Sequence, residues 1–349
     1  FQGIASGKAS VVADHIERYF RRIGGWMTKA DLAAHHTEWV EPIRTNYRGV
    51  DVYGLGPNTQ GLSTNQILNV CEQFDLKGMG FQSAASIHHQ AEAKRLAFED
   101  RAKWFADPRF SETPVDWLNS KAYAAERARL IRPDRVMDRV FPGDAPTHGD
   151  TTYFSVADSD GMMVSWIQSN YRGMGSGLVA DDGEGNPLGF MFQDRGELFA
   201  LTDGHPNVYA PGKRPFHTII PGFACKDGEP WMAFGVMGGG MQPQGQAQII
   251  INMVDYGLDP QEAGDSPRWQ HEGSSEPTGQ PAEGVGVLYL ETGVPETTKA
   301  QLEAMGWVTG GPNGGFGGYQ NVVRQVNESG PWTYGAATEM RKDGIALAY

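Results

Sequence analysis

The middle of the chain carries two apolar, β-prone runs on either side of a short turn sequence. The first run covers residues 151–156 and the second covers residues 162–167, with Asp-Ser-Asp-Gly between them at residues 158–161. This pattern predicts a β-hairpin. Thr151 and Thr152 stand at the start of its first strand and give it a pair of hydroxyl groups. Threonine is common in ordinary strands, so the pair by itself favours plain sheet structure.

Segments of helical and strand-like pattern follow one another along the rest of the chain and constrain the fold. Strand-like runs occur mostly in pairs, with segments of helical period before and after them. This arrangement predicts an α+β sandwich of two stacked antiparallel sheets between helical layers. The predicted helices cover residues 11–23, 29–35, 62–71, 83–107, 114–130, 244–256 and 298–305, and the other predicted strands cover residues 50–53, 188–192, 215–220, 231–236, 320–326 and 332–336. Thr28, with Asp31 three residues later, predicts the N-cap of the second helix, and Asp259-Pro260 predicts the start of a further helix after residue 256.

The composition excludes several classes of protein. The 349 residues are 40% hydrophobic and 20% charged, which is typical of a soluble globular chain with enough apolar material for a core. The net charge of −13 argues against nucleic acid or an anionic membrane surface as the main partner. The two cysteines, Cys71 and Cys225, indicate neither a disulfide framework nor a zinc site. No apolar run approaches the length of a membrane span.

Three motifs invite a metal or phosphate interpretation, and each of them is weak. His88 and His89 would point about 100° apart on a predicted helix, whereas helical metal ligands are usually four residues apart, so we expect them on the helix surface. The acidic residues 181–187 lack the spacing and the closing glutamate of an EF-hand. The glycine-rich residues 310–318 lack the lysine-serine pair of a P-loop. The sequence therefore predicts neither a metal nor a cofactor.

A series of motifs runs in order through the chain and resembles one known family, the γ-glutamyltransferases (γ-glutamyltranspeptidases). These are N-terminal-nucleophile hydrolases made as one precursor that cuts itself. The resemblance covers nearly the whole chain and implies the αββα architecture of that class. The motifs that carry it are Gly24-Gly25, Thr28-Lys29-Ala30-Asp31-Leu32, Tyr47-Arg48-Gly49, Thr151-Thr152-Tyr153-Phe154-Ser155-Val156, Gly173-Met174-Gly175-Ser176-Gly177-Leu178-Val179-Ala180, Gly212-Lys213-Arg214-Pro215, Gly238-Gly239, Asp255-Tyr256-Gly257-Leu258, Ser266-Pro267-Arg268 and Arg341-Lys342-Asp343-Gly344.

The resemblance divides the chain at the start of the hairpin. Residues 1–150 correspond to the C-terminal part of the family's large subunit and residues 151–349 to its small subunit, which together make one αββα domain. The N-terminal part of the large subunit is absent, and the opening Phe1-Gln2-Gly3 has neither an initiator methionine nor a leader. We therefore expect a fragment or a processed product, with a cytoplasmic or periplasmic location left open. The expected partners are the missing part of the precursor and a second copy of the processed heterodimer.

The resemblance makes Thr151 the nucleophile once the bond between Asp150 and Thr151 is cut. A threonine hydroxyl is a poor nucleophile near neutral pH and needs a base. Cleavage gives Thr151 a free α-amino group, with an ordinary pKa of about 8, which can accept the hydroxyl proton directly or through one water. The preceding residues 132–148 have the proline content of an exposed, cleavable loop, although an ordinary surface loop has the same composition.

Acyl transfer also needs hydrogen-bond donors for the oxyanion that forms on the substrate. Gly238 and Gly239 follow the predicted strand at residues 231–236, and the resemblance assigns the oxyanion hole to them. Glycine lets the backbone turn its N–H groups toward a substrate without a steric cost from Cβ, although a plain flexible loop has the same sequence. Ser169 matches a family threonine whose hydroxyl supports the nucleophile, and serine keeps that hydroxyl.

The substrate-binding positions depart from the family pattern. A γ-glutamyl donor presents an α-carboxylate, which the family binds partly with two serines. His217 and Thr218 stand at these positions, so one hydroxyl is kept. The family's amine-binding asparagine and glutamine are replaced by Tyr171 and Arg195.

The aspartate with which the family pairs the substrate's amine is also not kept at its position. The family's aspartate falls near Leu198, and Asp194 or Glu197 could take its place. Loss of a desolvated charge partner costs roughly 2–5 kcal/mol, and Arg195 suits a carboxylate better than an amine. The pocket therefore leaves two donor classes open, γ-glutamyl amides and glutaryl amides that lack the α-amino group.

Three functional hypotheses follow. The leading one is a γ-glutamyltransferase-like amide hydrolase or acyltransferase that uses glutathione or related γ-glutamyl amides through an acyl-enzyme on Thr151. The second is the same chemistry in an amidohydrolase similar to glutaryl or cephalosporin acylases. The third is a non-catalytic relative that keeps the fold for binding. None of these mechanisms requires a cofactor or a metal.

Overall fold

The computed structural model describes residues 11–140, 150–282, 284–325 and 332–348, and the chain divides into two compact units. The smaller unit comprises the described residues up to Glu41 together with Asn170–Asp194. The larger unit comprises Pro42–Ser169 and the described residues from Arg195 onward. Residues 141–149, which belong to the loop predicted before Thr151, and the side chains of Asp150 and Thr151 lie outside the described residues.

The described residues form ten α-helices, one 3-10 helix and eleven strands. The helices are α1 (Val11–Arg22), α2 (Lys29–Ala34), α3 (Gly61–Cys71), α4 (Leu76–Met79), α5 (Ala84–Trp104), α6 (Val115–Leu118), α7 (Lys121–Ala128), the 3-10 helix (Arg195–Leu198), α8 (Met241–Val254), α9 (Pro260–Asp265) and α10 (Glu296–Ala304). The strands are β1 (Ile43–Tyr47), β2 (Val50–Gly54), β3 (Asp150–Ala157), β4 (Met163–Tyr171), β5 (Gly222–Lys226), β6 (Glu229–Met237), β7 (Trp269–Glu272), β8 (Val287–Leu290), β9 (Thr309–Gly310), β10 (Gly318–Gln325) and β11 (Thr333–Thr338).

Six strands form an antiparallel sheet in the order β1-β2-β5-β6-β10-β11. A second antiparallel pair, β3 and β4, is the hairpin that the sequence predicts, and β3 packs against β6 and β10. A smaller sheet of β7, β8 and β9 lies apart from these. The structure is therefore α+β with a hairpin stacked on a larger antiparallel sheet, and the predicted fold class is confirmed.

The two faces of β6 show how the layers are built. Phe234 and Val236 point to the helical side, where Val236 lies against Gly245 of α8. Gly235 points to the other side, because a Cβ there would lie 2.4 Å from the ring of Tyr153 in β3. Successive residues of a strand face opposite sides of a sheet. The helices and the hairpin therefore cover opposite faces of the six-stranded sheet.

Helices α1 and α2 lie in the smaller unit. Thr28 caps α2 through a capping box with Asp31, as the sequence predicts. Arg22 forms an ion pair with Asp181, and Phe20 meets the ring of Phe192 edge to face at 5.0 Å between centroids. These contacts join the N-terminal helix to residues 170–194 within this unit.

Several predicted elements differ from those in the structure. Residues 188–192 and 215–220 are not strands, and the sheet instead uses β5 at Gly222–Lys226. The single helix predicted over residues 114–130 is two short helices, α6 and α7, because Ser120 caps a new helix by accepting from the Tyr123 N–H. Strands β1, β7, β8 and β9 are absent from the sequence prediction.

The expectation that His88 and His89 lie on the helix surface is wrong. Helix α5 runs through the interior, and the two side chains are 0% and 3% exposed. Trp307 Nε1–H donates to His88 Nδ1 at 3.0 Å, so His88 Nε2 carries the proton that is donated to Arg132 O at 2.6 Å. Burial lowers the pKa of His88 to about 4. These histidines are neutral packing groups.

Helix α5 is the longest helix of the described chain, with 21 residues, and it carries charged side chains along its buried length. Glu92 and Arg95 pair with each other at 3.0 Å, which offsets part of the cost of burying both charges.

No helix among the described residues is long and apolar enough to cross a membrane.

Candidate active site

The start of the hairpin lies beside the end of the central strand β6. Thr152 and Met237 line one cavity of about 510 Å³, together with residues of β10, β11 and the C-terminal segment. The ring of Tyr153 covers Gly235, and its hydroxyl is 2.8 Å from Ser165 Oγ in β4. The contact with Gly235 holds the first strand of the hairpin against β6 at Tyr153, two residues after Thr151.

A glycine turn, defined here as residues 238–240, joins β6 to α8. Gly238 has φ +116° and Gly239 has φ +57°, values that an L side chain rarely adopts. The Met241 N–H donates to Gly238 O at 2.9 Å, which turns this carbonyl toward the start of α8. In the described part of the chain, neither Gly238 nor Gly239 donates its N–H to a backbone carbonyl of a turn, loop or cap. The turn therefore holds two N–H groups next to the strand end that lines the cavity.

Gly317 packs directly against this strand end, and we expect Gly317→Ala to destabilise the protein. An added Cβ would lie 2.3 Å from Met237 O, on the peptide that leads into the glycine turn. Gly314→Ala is a matched control, because Gly314 has a similar φ of +77° but nothing within 4 Å of an added Cβ. The backbone strain is comparable, so the clash should cost Gly317→Ala about 1–3 kcal/mol more than the control. Urea unfolding measures the difference in unfolding free energy. Equal decreases in the two variants would show that the strand end can shift to accommodate the added methyl group without cost.

Arg195 contacts two other predicted site residues, Ser169 and Thr218, within the larger unit. It is 7% exposed, in the 3-10 helix. Its Nη1 lies 3.5 Å from Thr218 Oγ1, and its Nη2 donates to Ser169 O at 3.4 Å. The buried guanidinium therefore links the end of β4 to the segment at residues 215–218.

His217 lies next to this guanidinium and is uncharged. Burial, with the nearby positive charges of Arg195 and Arg214, lowers the pKa of His217 to about 3. Its backbone N–H donates to Asn58 O at 3.0 Å. Its Nδ1 is buried and has no hydrogen-bond partner among the described residues. A neutral imidazole with a free ring nitrogen can serve a polar ligand group, but it adds no positive charge to the site.

The lowered pKa of His217 predicts a specific loss of stability in acid. An unfolded histidine has a pKa of about 6.5, so below that pH the unfolded state binds a proton that the folded state does not. The contribution of His217 to stability therefore falls as the pH drops from about 6.5 toward 3. The His217→Gln variant has no group at this position that takes up a proton. Its unfolding free energy should therefore increase relative to that of the wild type as the pH falls from 7 to 5. Urea unfolding at several pH values tests this, and a pH-independent difference would contradict it.

Tyr171 and Asp194 belong to the smaller unit. Tyr171 is 1% exposed and has φ +82°, an outlier for a bulky residue of the kind found at functional sites. Arg172 lies over the Tyr171 ring, with its guanidinium carbon 5.7 Å from the ring centroid. The Asp194 carboxylate accepts from the Arg172 N–H at 3.2 Å, and its own N–H donates to Asn170 O at 3.1 Å. Asp194 therefore closes the loop that carries Tyr171.

The two other residues weighed as partners for a substrate amine follow Arg195 in the 3-10 helix. Glu197 is exposed, whereas Leu198 is 1% exposed, and Leu198 O accepts from Asn207 Nδ2 at 2.7 Å. Leu198 is thus part of the packed interior.

Gln60 and Arg101 are polar residues near the site that the sequence interpretation missed. Gln60 is 0% exposed, and its Nε2 donates to Thr218 O at 2.7 Å and to Gly239 O at 2.8 Å. Arg101 Nη1 donates to Gln60 Oε1 at 2.7 Å. The sequence around Gln60 is typical of a turn, and no local pattern marks a residue whose partners are 158 and 179 positions away.

The expected absence of a metal stays a prediction. The described residues contain no group of three or more histidine, cysteine, aspartate or glutamate side chains arranged to hold a metal ion. Two carboxylates of the acidic residues 181–187 have partners in the protein: Asp181 pairs with Arg22, and Asp182 accepts from Asn186 Nδ2 at 2.7 Å.

Comparison with known proteins gives a consistent set of matches. The model of the family Gamma-glutamyltranspeptidase matches residues 9–349. The chain is 38% identical over 259 residues to the glutathione hydrolase-like YwrD proenzyme of Bacillus subtilis (strain 168), a match that covers 74% of this chain and 47% of the relative. It is 35% identical over 297 residues to the acylase ACY 1 proenzyme of Pseudomonas sp. (strain SE83), covering 82% of this chain and 49% of the relative.

A solved structure is similar over almost the whole chain. The crystal structure of cephalosporin acylase from Bacillus halodurans superposes with a TM-score of 0.84 at 37% sequence identity, covering 99% of this chain and 59% of that protein. The chain spans about half the length of the curated relatives it matches.

Proposed function

Because the chain belongs to the γ-glutamyltranspeptidase family, we propose that it carries the catalytic part of an N-terminal-nucleophile amide hydrolase or acyltransferase. The precursor cuts itself between Asp150 and Thr151, and the new N-terminal threonine then acts on a small-molecule amide. One observation carries this proposal: the first strand of the hairpin lines a cavity with Met237, immediately before the glycine turn. The nucleophile and its oxyanion donors are therefore expected on adjacent strand ends.

The proposed chemical steps use Thr151, Ser169 and two glycines of the glycine turn, Gly238 and Gly239. The α-amine of Thr151 accepts the proton of its own hydroxyl, and Oγ attacks the carbonyl carbon of the amide. The N–H groups of Gly238 and Gly239 stabilise the negative charge that develops on the carbonyl oxygen, and one such donor contributes about 3 kcal/mol. The ammonium then gives its proton to the leaving amine as the C–N bond breaks. Ser169 is assigned the supporting hydroxyl next to the nucleophile.

Breakdown of the ester on Thr151 completes the cycle. Water attacks the ester carbon in hydrolysis, and an acceptor amine attacks it in transfer, with the terminal amine of Thr151 again accepting the proton. The same residues therefore serve both reactions, and the balance between them depends on the acceptor.

The acyl donor is proposed to carry a terminal carboxylate, which Arg195 and Thr218 would bind beside the neutral His217. The leading donors are glutathione and other γ-glutamyl amides, by analogy with the relative named glutathione hydrolase-like. The buried guanidinium of Arg195 favours a second class, amides of dicarboxylic acids without an α-amino group, because it would repel an ammonium but pair with a carboxylate. The relatives named as acylases support this alternative.

The two products of self-cleavage are proposed to remain together as one folded heterodimer. Strand β2, from residues before the cleavage point, pairs with β5, from residues after it, over Val50–Tyr53 and Phe223–Lys226. Helices α3 and α8, also from opposite sides of the cleavage point, pack against each other. Residues 1–150 and 151–349 would thus act as parts of a large and a small subunit. Assembly into a homo-oligomer stays a prediction.

Mass spectrometry on protein expressed from its complete reading frame tests the proposal. The expected result is a chain that begins Thr151-Thr152-Tyr153, together with release of p-nitroaniline from a γ-glutamyl or glutaryl p-nitroanilide. A precursor that stays whole and turns over neither substrate would favour a non-catalytic relative.

A further inference from the structure

A single buried side chain connects the two elements that the proposed function uses. Gln60 lies at the start of α3, and its one amide nitrogen donates both hydrogens, to Thr218 O at 2.7 Å and to Gly239 O at 2.8 Å. The first acceptor belongs to the segment at residues 215–218, which holds His217 and Thr218. The second acceptor belongs to the glycine turn. No water has to bridge these contacts, because both distances are those of direct hydrogen bonds.

Arg101 fixes the other end of the same amide. Its Nη1 donates to Gln60 Oε1 at 2.7 Å, and its guanidinium carbon lies 3.7 Å from the centroid of the Phe98 ring. The guanidinium also pairs with Glu276 and is fully buried. Both N–H hydrogens and the carbonyl oxygen of the Gln60 amide are therefore engaged, and the rotamer is fixed by a charged donor.

We propose that Gln60 is a positioning residue that sets the separation and orientation of the substrate-binding segment 215–218 relative to the glycine turn. This inference rests on the proposed function of those two elements. A hydrogen bond to Gly239 O fixes the plane of the peptide that follows the oxyanion donors. Because oxyanion donors act only at the right distance from the developing charge, a small rotation of this turn should affect the transition state more than substrate binding.

Asn58, in the same loop, holds only one of the two elements. Its Nδ2 donates to Pro215 O at 2.6 Å, and its carbonyl accepts from the His217 N–H at 3.0 Å. Neither bond reaches the glycine turn. Loss of the Asn58 amide should therefore disturb substrate binding, whereas loss of the Gln60 amide should disturb binding and chemistry together.

The test is Gln60→Glu, which keeps the shape and the contact with Arg101 but replaces both donors with an acceptor facing two carbonyl oxygens. The matched control is Gln246→Glu. Gln246 is also buried, and it donates to Ile220 O at 2.8 Å, two residues beyond Thr218. Both variants, made in the full-length processed enzyme, lose a buried amide that holds the same stretch of backbone, but only one of them touches the glycine turn.

The expected result is a fall in kcat of at least tenfold for Gln60→Glu, with a smaller change in KM, after normalisation to the folded fraction from thermal unfolding. Gln246→Glu should keep kcat within about threefold of the wild type, since its contacts lie outside the proposed oxyanion hole. Asn58→Ala should raise KM more than it lowers kcat. Gln60→Met, neutral and of similar length, replaces Gln60→Glu if the buried charge prevents folding.

Equal kcat values for the Gln60 variant and Gln246→Glu would overturn the inference, as would a loss that only follows the folded fraction. A wild-type protein that neither cuts itself nor turns over substrate would instead overturn the proposed function. The two failures are therefore separate: the first leaves an active wild type, and the second does not.

Discussion

Replacing Thr151 with alanine is expected to leave the full-length precursor whole and without amidase activity. The hydroxyl of Thr151 is the proposed attacking group in both reactions, first on the carbonyl of Asp150 and later on the substrate. Removal of a catalytic nucleophile lowers kcat by about 10⁴ to 10⁶-fold, because the remaining groups can only bind and polarise the substrate. Intact mass and p-nitroaniline release measure the two losses independently.

Thr151→Ser is the matched control for this variant. Serine keeps the hydroxyl and, after cleavage, the α-amine, and it lacks one methyl group. It should therefore still be cut before residue 151 and retain measurable turnover. Cleavage of Thr151→Ala at the same bond would show that another residue performs the cut, and the nucleophile assignment would then be wrong.

The hairpin and the flanking helices could be predicted because their signals are local. The turn residues at 158–161 and the apolar runs beside them specify two paired strands wherever they lie in the fold. The N-cap at Thr28 and the helix start at Pro260 are likewise set by residues within one helical turn, and both capping boxes form in the structure.

The segment at residues 215–220 shows why other elements could not be predicted. Its apolar composition is that of a buried strand, but its backbone groups pair with side-chain amides from distant helices and loops. Gln60 binds Thr218 O, while Gln242 accepts from the Ile220 N–H and Gln246 donates to Ile220 O. Nothing in the local sequence distinguishes these partners from a neighbouring strand. The same holds for His88, whose burial is set by Trp307, 219 residues away.

The residues around Arg195 are expected to determine which acyl donor the enzyme prefers. The wild-type ratio of kcat/KM for γ-glutamyl and glutaryl p-nitroanilides is expected to stay within about a hundredfold, or ~2.7 kcal/mol. The two donors differ only in the α-amino group. The resemblance implies partners for this group at positions 171, 195 and 198, and Tyr171, Arg195 and Leu198 do not keep those residue types. A site discriminates strongly only where a missing group leaves its own buried partner unpaired.

Leu198→Asp would place an acidic residue where the family resemblance implies one, and it should sharpen the preference for γ-glutamyl donors if Leu198 lies at the pocket. The structure makes it a poor test, because Leu198 is 1% exposed. A carboxylate there would be buried at a cost of several kcal/mol. Loss of folding would then mask any effect on specificity.

Arg195→Gln is the sharper test, since it restores the glutamine that the family resemblance implies and removes a buried charge. The ratio of kcat/KM for γ-glutamyl over glutaryl amide should rise by about 30-fold or more, which corresponds to about 2 kcal/mol for one desolvated charge contact. Arg214→Gln is the control, because Arg214 also contributes positive charge at His217, whereas Arg195 is the arginine whose Nη1 lies 3.5 Å from Thr218 Oγ1. An equal rise in both variants would indicate a general loss of positive charge, and an unchanged ratio in Arg195→Gln would show that Arg195 does not face the end of the donor that carries the α-amino group.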